Sequence, residues 1–198
     1  MTTTGPEIET GVIHGRFQIV HNDHVDYIVA GKEHCRHLVV GITNPDPTMT
    51  RETPADPGRS RAEANPLTYY ERHIMVREVL QEQGLNHTAY TIVPLPISIP
   101  GLYRYYVPLD AVFFLTIFDD WGRTKRSFFR ELGLRTQVLW ERPPHRKGIS
   151  GTDVRTRIMQ GAPWEHLVPA SAAALIKKWG IRDRLKKAAT EAHPERPS

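Results

Sequence analysis

The chain predicts an α/β fold, a doubly wound parallel sheet with helices on both faces. Three observations carry this. Short apolar runs of strand type alternate with stretches of helical period, the pattern of a parallel sheet whose crossovers are helices. The runs "HLVVGIT" (37–43) and "AVFFLTIF" (111–118) are nearly continuous in apolar residues, as in strands covered on both faces. The 198 residues carry no internal repeat and no clear linker, so one domain is assigned to 1–188, followed by a disordered tail at 189–198.

The elements follow in order. "TGVIHGRF" (10–17) reads as a first strand closed by a glycine. Val25, Ile28 and Val29 then recur at helical spacing, which predicts a helix over 23–35. "HLVVGIT" is the second strand. Residues 44–65 are polar, rich in Pro and Thr and without periodicity, a long loop of the kind that is functional or disordered. A helix is predicted over 65–84, with Pro66 at an early helical position and Gly84 past its end. "AYTIVPL" (89–95) is a third strand and "AVFFLTIF" a fourth. A helix opened by Gly122 spans 122–132, a fifth strand 136–142, a short helix 151–161 and a last helix 169–179.

Composition narrows the function. Net charge is +4, and no Lys/Arg stripe interleaved with aromatics is visible, so small anions are better partners than nucleic acid. The basic cluster "IRDRLKK" (181–187) reads as a solvated helix face. The lone cysteine, Cys35, excludes an intrachain disulfide. The start lacks a secretory pattern and the longest apolar run is too short to span a bilayer. The expectation is a soluble, cytoplasmic protein that binds no membrane.

In a doubly wound sheet the ligand sits at the carboxyl ends of the strands, where strand order reverses. The turn after the first strand, "GRFQIVHNDH" (15–24), is therefore the prime site. His21 and His24 fall at or just before a helix N-terminus, where free N–H groups and the dipole attract phosphate. Arg16 adds a fork of donors. Either histidine could instead be a helix-start residue bonded to backbone. A metal site is a second alternative, but in the His-x-His-x-Asp-His pattern of metallo-hydrolases the first histidine would fall at Ile19, so no metal ligands are assigned. "ISGTDVRTRI" (149–158) supplies a second device: Ser150 or Thr152 as N-cap, Asp153 in the first turn, and Arg155 one turn on.

Together the two stretches resemble the nucleotidylyltransferase superfamily, whose members carry His-x-Gly-His after the first strand and Ile-Ser-x-Thr-x-x-Arg near the C-terminus. "HNDH" (21–24) and "ISGTDVR" (149–155) match in order and separation. Within it the likeness is to the archaeal type of nicotinamide-nucleotide adenylyltransferase. "GRFQIVH" is similar to its Gly-Arg-x-Gln-Pro-x-His opening, "NPLTYYER" (65–72) to its helix start, and "WEHLVP" (164–169) to its closing motif. The resemblance implies a Rossmann-like sheet and transfer of a nucleoside monophosphate from an NTP, most simply ATP, to nicotinamide mononucleotide, with Mg²⁺ on the triphosphate and a homo-oligomeric state. It implies that His21 and His24 donate to the α- and β-phosphates, and that Arg16 and Arg155 hold the β- and γ-phosphates. Gly15, Phe17, Gln18, Asp23, Ser150 and Thr152 would complete the nucleotide site. CTP with another phosphate or phosphonate acceptor is the alternative within the class. A nucleotide-binding or nucleotide-hydrolysing protein is the alternative outside it.

The sequence departs from the pattern in four places. Asp23 replaces the motif glycine, whose role is close backbone approach, and a carboxylate beside a triphosphate repels it unless paired. Asp23 is thus expected to adjust nucleotide or metal handling. Ile19 replaces a proline, expected to be minor. The loop 44–65 is long. "ISIPGLYRYYVP" (97–108) lacks the Asn and Trp expected around a nicotinamide ring. Its tyrosines read mostly as packing; Arg104, with Tyr103, and Arg72 are the candidates for the acceptor.

Overall fold

The computed structural model describes residues 7–49, 60–146 and 148–192. Five parallel strands form one sheet: β1 (Ile8–Gly15), β2 (Cys35–Thr43), β3 (Tyr90–Leu95), β4 (Val112–Ile117) and β5 (Arg135–Glu141), in the order β3-β2-β1-β4-β5. Order reverses between β1 and β4, so the crevice of the fold opens at their carboxyl ends. The helices are α1 (Asn22–Glu33), α2 (Tyr69–Glu82), α3 (Asp120–Glu131), α4 (Gly151–Gln160), α5 (Ala170–Lys178) and α6 (Ile181–Ala192). Among the described residues no helix is long and apolar enough to cross a membrane.

Strand alternation splits the core into two layers. Ile13, Leu38, Val40 and Phe114 point to one face, where Ile28 of α1, Met75 and Val79 of α2, Ile176 of α5 and Leu185 of α6 cover them. Val12, Val39, Phe113 and Leu115 point to the other, covered by Phe129 of α3 and by Tyr103 and Val107. This is the predicted architecture, with helices on both faces.

Several boundaries differ from expectation. Helix α2 begins at Tyr69, not at Asn65. Thr68 caps it: its hydroxyl accepts the Glu71 N–H at 3.2 Å while the Glu71 carboxylate accepts the Thr68 N–H at 2.9 Å. This capping box places Pro66 ahead of the helix, whereas Gly84 lies just past its end with φ +73° as expected. Helix α3 starts at Asp120, because the Asp119 carboxylate accepts the Gly122 N–H. Helix α6 continues to Ala192, so residues 189–192 are helical where a disordered tail is expected; the end of that tail lies outside the described residues. Within the long loop, Pro47–Met49 and Ala62–Ala64 form 3-10 turns, and 50–59 are outside the described residues.

Candidate active site

The first turn is built on strained backbone. β1 stops at Gly15, and Phe17 and Ile19 take positive φ, 49° and 80°, although both are wholly buried. For a β-branched residue this is rare and costs energy, which the surrounding packing must hold. A proline ring fixes φ near −65°, so proline could not take the conformation of Ile19. The departure at this position, expected to be minor, changes the backbone. Two struts hold the turn. The Gln18 side chain exchanges a pair of 3.0 Å hydrogen bonds with the backbone of Leu67. The buried Arg72 guanidinium donates to the carbonyls of Arg16 (3.0 Å), Thr43 (2.7 Å) and Asn44 (2.8 Å).

His21 is the N-cap of α1, and its ring stacks on that of His24 with centroids 3.7 Å apart. The His21 N–H donates to His24 Nδ1 at 3.4 Å, so a neutral His24 carries its proton on Nε2. Both rings are neutral at pH 7. Burial, reinforced by Arg155, lowers His21 to about 4. Burial, reinforced by His21 and Arg16, holds His24 well below the usual range. The edge of His24 also meets Phe17.

The second stretch faces the first. Ser150 caps α4 in a reciprocal box with Asp153: each accepts the other's N–H at 3.1 Å, and the Ser150 hydroxyl donates to the carboxylate at 2.6 Å. Asp153 is thereby structural, as expected, and Ser150 rather than Thr152 is the cap. Thr152 instead accepts from Arg155 Nη2 at 3.0 Å, while Arg155 Nη1 donates to the Gln18 carbonyl at 2.9 Å. Arg155 therefore joins the two stretches.

Two cavities open at the carboxyl end of the sheet. The first, about 680 Å³, runs from His14, Gly15 and Arg16 past Ile97 and Ser98 to Thr124, Phe128 and Phe129 of α3, with Arg155 on its wall. The second, about 640 Å³, lies between α1 and the approach to α4, against His21, Asp23, Tyr27, Trp140, Arg142 and Ile149. His24, Trp121, Lys125 and Gly151 line both. Two compartments thus meet at a junction of donors: an imidazole, an ammonium and the N-terminus of α4. Their charge differs. Among the described residues no Asp or Glu lines the first, which has Arg16, Lys125 and Arg155; the second has Asp23, Asp26 and Asp119 beside Arg142 and Arg146.

Asp23 occupies a specific niche. Its carboxylate accepts the Ile149 N–H and lies where a side chain on Gly148 would sit. Burial raises its pKa, against the pull of that N–H and of Arg142. Among the described residues no three of His, Cys, Asp or Glu come together as a metal cage. At the junction of the two cavities the convergent groups are an imidazole, an ammonium and the amides of the α4 N-terminus, a donor set that fits an anion rather than a cation.

The structure brings Gly15, Arg16, Phe17, Gln18, His21, Asp23, His24, Ser150 and Arg155 to these cavities, with Thr152 holding Arg155. It does not bring in the three residues expected at the acceptor. Arg72 spends its donors on backbone carbonyls. Tyr103 is 1% exposed, its hydroxyl bonded to the Ile97 carbonyl. Arg104 is exposed and donates to the Tyr105 hydroxyl. In their place stand His14, Ser98, Trp121, Thr124 and Lys125. Strand parity could have found His14, which shares the face of Val12; α3 carries no motif that marks Trp121, Thr124 or Lys125, and Ser98 lies in the turn after β3.

A family model described as cytidylyltransferase-like matches residues 12–157. The chain is 51% identical over 177 residues to a phosphonoformate cytidylyltransferase of Streptomyces viridochromogenes, covering 89% of this chain and 95% of that protein. It is 31% identical over 185 residues to a nicotinamide-nucleotide adenylyltransferase of Thermococcus kodakarensis, covering 92% and 90%. In fold it is similar to a bifunctional NMN adenylyltransferase/ADP ribose pyrophosphatase from Francisella tularensis, with a TM-score of 0.67 at 15% identity; the match covers 94% of this chain and 54% of that one, about half its length. The chain belongs to the cytidylyltransferase-like family of nucleotidylyltransferases.

Proposed function

We propose that this protein transfers CMP from CTP to a small phosphonate of the phosphonoformate kind and releases pyrophosphate. The observation that carries the choice of substrates is the 51% identity to a phosphonoformate cytidylyltransferase over 89% of the chain, against 31% to an adenylyltransferase acting on nicotinamide mononucleotide. The residues agree. The segment 97–108 does not put Arg104 at the acceptor cavity, which is cationic and free of carboxylates among its described lining. ATP with nicotinamide mononucleotide, the leading expectation from the archaeal likeness, becomes the competing pair.

The nucleotide takes the second cavity, whose carboxylates suit an exocyclic amino group, and the acceptor takes the first. An acceptor oxygen, already ionised at pH 7, attacks the α-phosphorus of CTP. The new O–P bond forms as the bond to the β-phosphate oxygen breaks, and that oxygen leaves with the electron pair in pyrophosphate. No general base is needed, which agrees with two neutral histidines acting as hydrogen-bond donors. His24 Nε2–H, the α4 N-terminus at Gly151, Arg155 and Arg16 neutralise charge that spreads over the phosphates, and the pre-set geometry does the rest. Mg²⁺, if bound to the triphosphate, would offset part of its charge, and no residue is assigned to hold it. Pyrophosphate release measured for CTP and ATP, each with phosphonoformate and nicotinamide mononucleotide, tests the reading. CTP with phosphonoformate should give the highest kcat/KM; a higher value for ATP with nicotinamide mononucleotide would overturn it.

A further inference from the structure

His14 is not used in the transfer chemistry above, and nothing in the local fold explains it. It is the penultimate residue of β1, on the parity of Val12, and its ring packs 5.3 Å from that of Phe129. It is 8% exposed, and among the described residues neither ring nitrogen has a hydrogen-bond partner. Leaving a buried donor unpaired costs about 1–3 kcal/mol, and an aliphatic side chain at this parity would pack without that cost, as Val12 does. The ring lines the first cavity, in the company of Ser98, Thr124 and Lys125. Lys125 is close enough to disfavour a charge on His14. A cation is therefore a poor occupant here, and an anion a good one. The transfer junction at His24 and Gly151 takes the reacting end of the acceptor, which leaves His14 for the other end.

We propose that His14 is a specificity residue for the acceptor: its imidazole N–H binds the second, non-reacting anionic group of a small phosphonate or phosphate that carries two. The unpaired nitrogens and the cationic lining agree on this. The neutral ring supplies direction, since it donates along one axis and adds no charge that would hold any monoanion equally well. The inference rests on the acceptor reading above and extends it to a selection rule: a carboxylated phosphonate is accepted over an alkyl phosphonate of similar size.

The test uses His14→Val and His14→Gln, with phosphonoformate and methylphosphonate as probes. Binding of each is measured by calorimetry in the presence of a non-hydrolysable CTP analogue, and KM and kcat with CTP. His14→Val should raise the phosphonoformate Kd and KM at least tenfold, with the CTP KM and the methylphosphonate constants within twofold of wild type. His14→Gln, which restores an N–H donor, should recover most of the loss. An unchanged phosphonoformate Kd in a folded His14→Val protein, or an equal loss for methylphosphonate, overturns the proposal. If the wild type binds phosphonoformate through His14 yet releases no pyrophosphate with CTP, this inference stands and the transfer reading falls. If the wild type does not bind phosphonoformate, this inference falls, whatever nucleotide is used.

Discussion

The Asp23 carboxylate fills the space in which a side chain on Gly148 would have to sit, and it accepts the N–H of the next residue, Ile149. The residue that replaces the motif glycine therefore clamps α1 to the approach of α4. It holds the Ser150 turn against His21 and His24. This predicts a non-additive pair. Gly148→Ala should push the carboxylate off Ile149 and cost about 1–3 kcal/mol, with turnover reduced. Asp23→Gly should lower NTP affinity by loosening the turn, the reverse of what simple relief of repulsion predicts. The double variant should be no worse than Asp23→Gly alone, as read by urea midpoints and NTP KM. Full additivity would show that the two positions are independent.

His24 presents one directed N–H to the junction. His24→Ala should cut kcat by about tenfold to a thousandfold, the worth of one transition-state donor at roughly 2–4 kcal/mol. His21→Ala should behave similarly, since it removes both the stacked ring and the support of its neighbour. Steady-state pyrophosphate release on variants with wild-type circular dichroism checks this.

The two hydroxyls of the α4 turn should separate. Ser150→Ala removes the cap and should cost about 1 kcal/mol of stability. Thr152→Ala releases Arg155 Nη2 and should raise the acceptor KM with a smaller effect on stability. Arg155→Ala removes a cation from the wall of the first cavity and should weaken acceptor binding more than NTP binding, and it should also destabilise the protein, because it abandons the Gln18 carbonyl. Equal behaviour of the two hydroxyl variants would undo the assignment.

Three histidines should make the fold acid-sensitive. Burial lowers the pKa of His14, His21 and His24 from the ordinary 6.5, to about 4 for His21. As pH falls below 6.5 the unfolded chain binds protons that the folded one refuses, so ν_U exceeds ν_N and stability falls with falling pH. The loss should begin near pH 6.5 and, for His21, be complete near pH 4. Its slope is up to about 1.4 kcal/mol per pH unit for each proton taken up by the unfolded chain alone. Urea midpoints from pH 8 to pH 4.5 measure it, and His14→Val should shallow the slope.

Arg72 is a strut rather than an acceptor ligand. Burial lowers its pKa to about 10, yet it stays charged at pH 7. Arg72→Lys cannot span the Arg16, Thr43 and Asn44 carbonyls, and should destabilise by several kcal/mol through the unpaired groups. An acceptor KM that rose in a protein of unchanged stability would restore the role expected from sequence.

The strand-helix alternation and the two turns that meet at the cavities are legible in the sequence because they are local. Periodicity marks strands, and caps such as Ser150 announce themselves within four residues. The helix start at Thr68 was also local, in "TYYE", but the proline at 66 drew the boundary forward. What stayed hidden depends on packing between distant segments. Arg72 becomes structural only because β1 and β2 end beside it. His14 reaches a cavity only because α3 covers that face of the sheet. Ile19 adopts a backbone that its residue type disfavours, which no propensity forecasts.

Arg155 reaches the Gln18 carbonyl across 137 residues of chain. A contact of that separation closes a very long loop, and loop closure must be paid for before the contact can repay it. The Gln18 turn and the α4 turn are therefore not in contact in a chain that has folded only its first half. Both cavities take part of their wall from α4, and α6 packs beside it. A polypeptide whose synthesis has not passed residue 155 carries the His21–His24 pair without Arg155, so the walls of the first cavity are completed only by the last quarter of the chain.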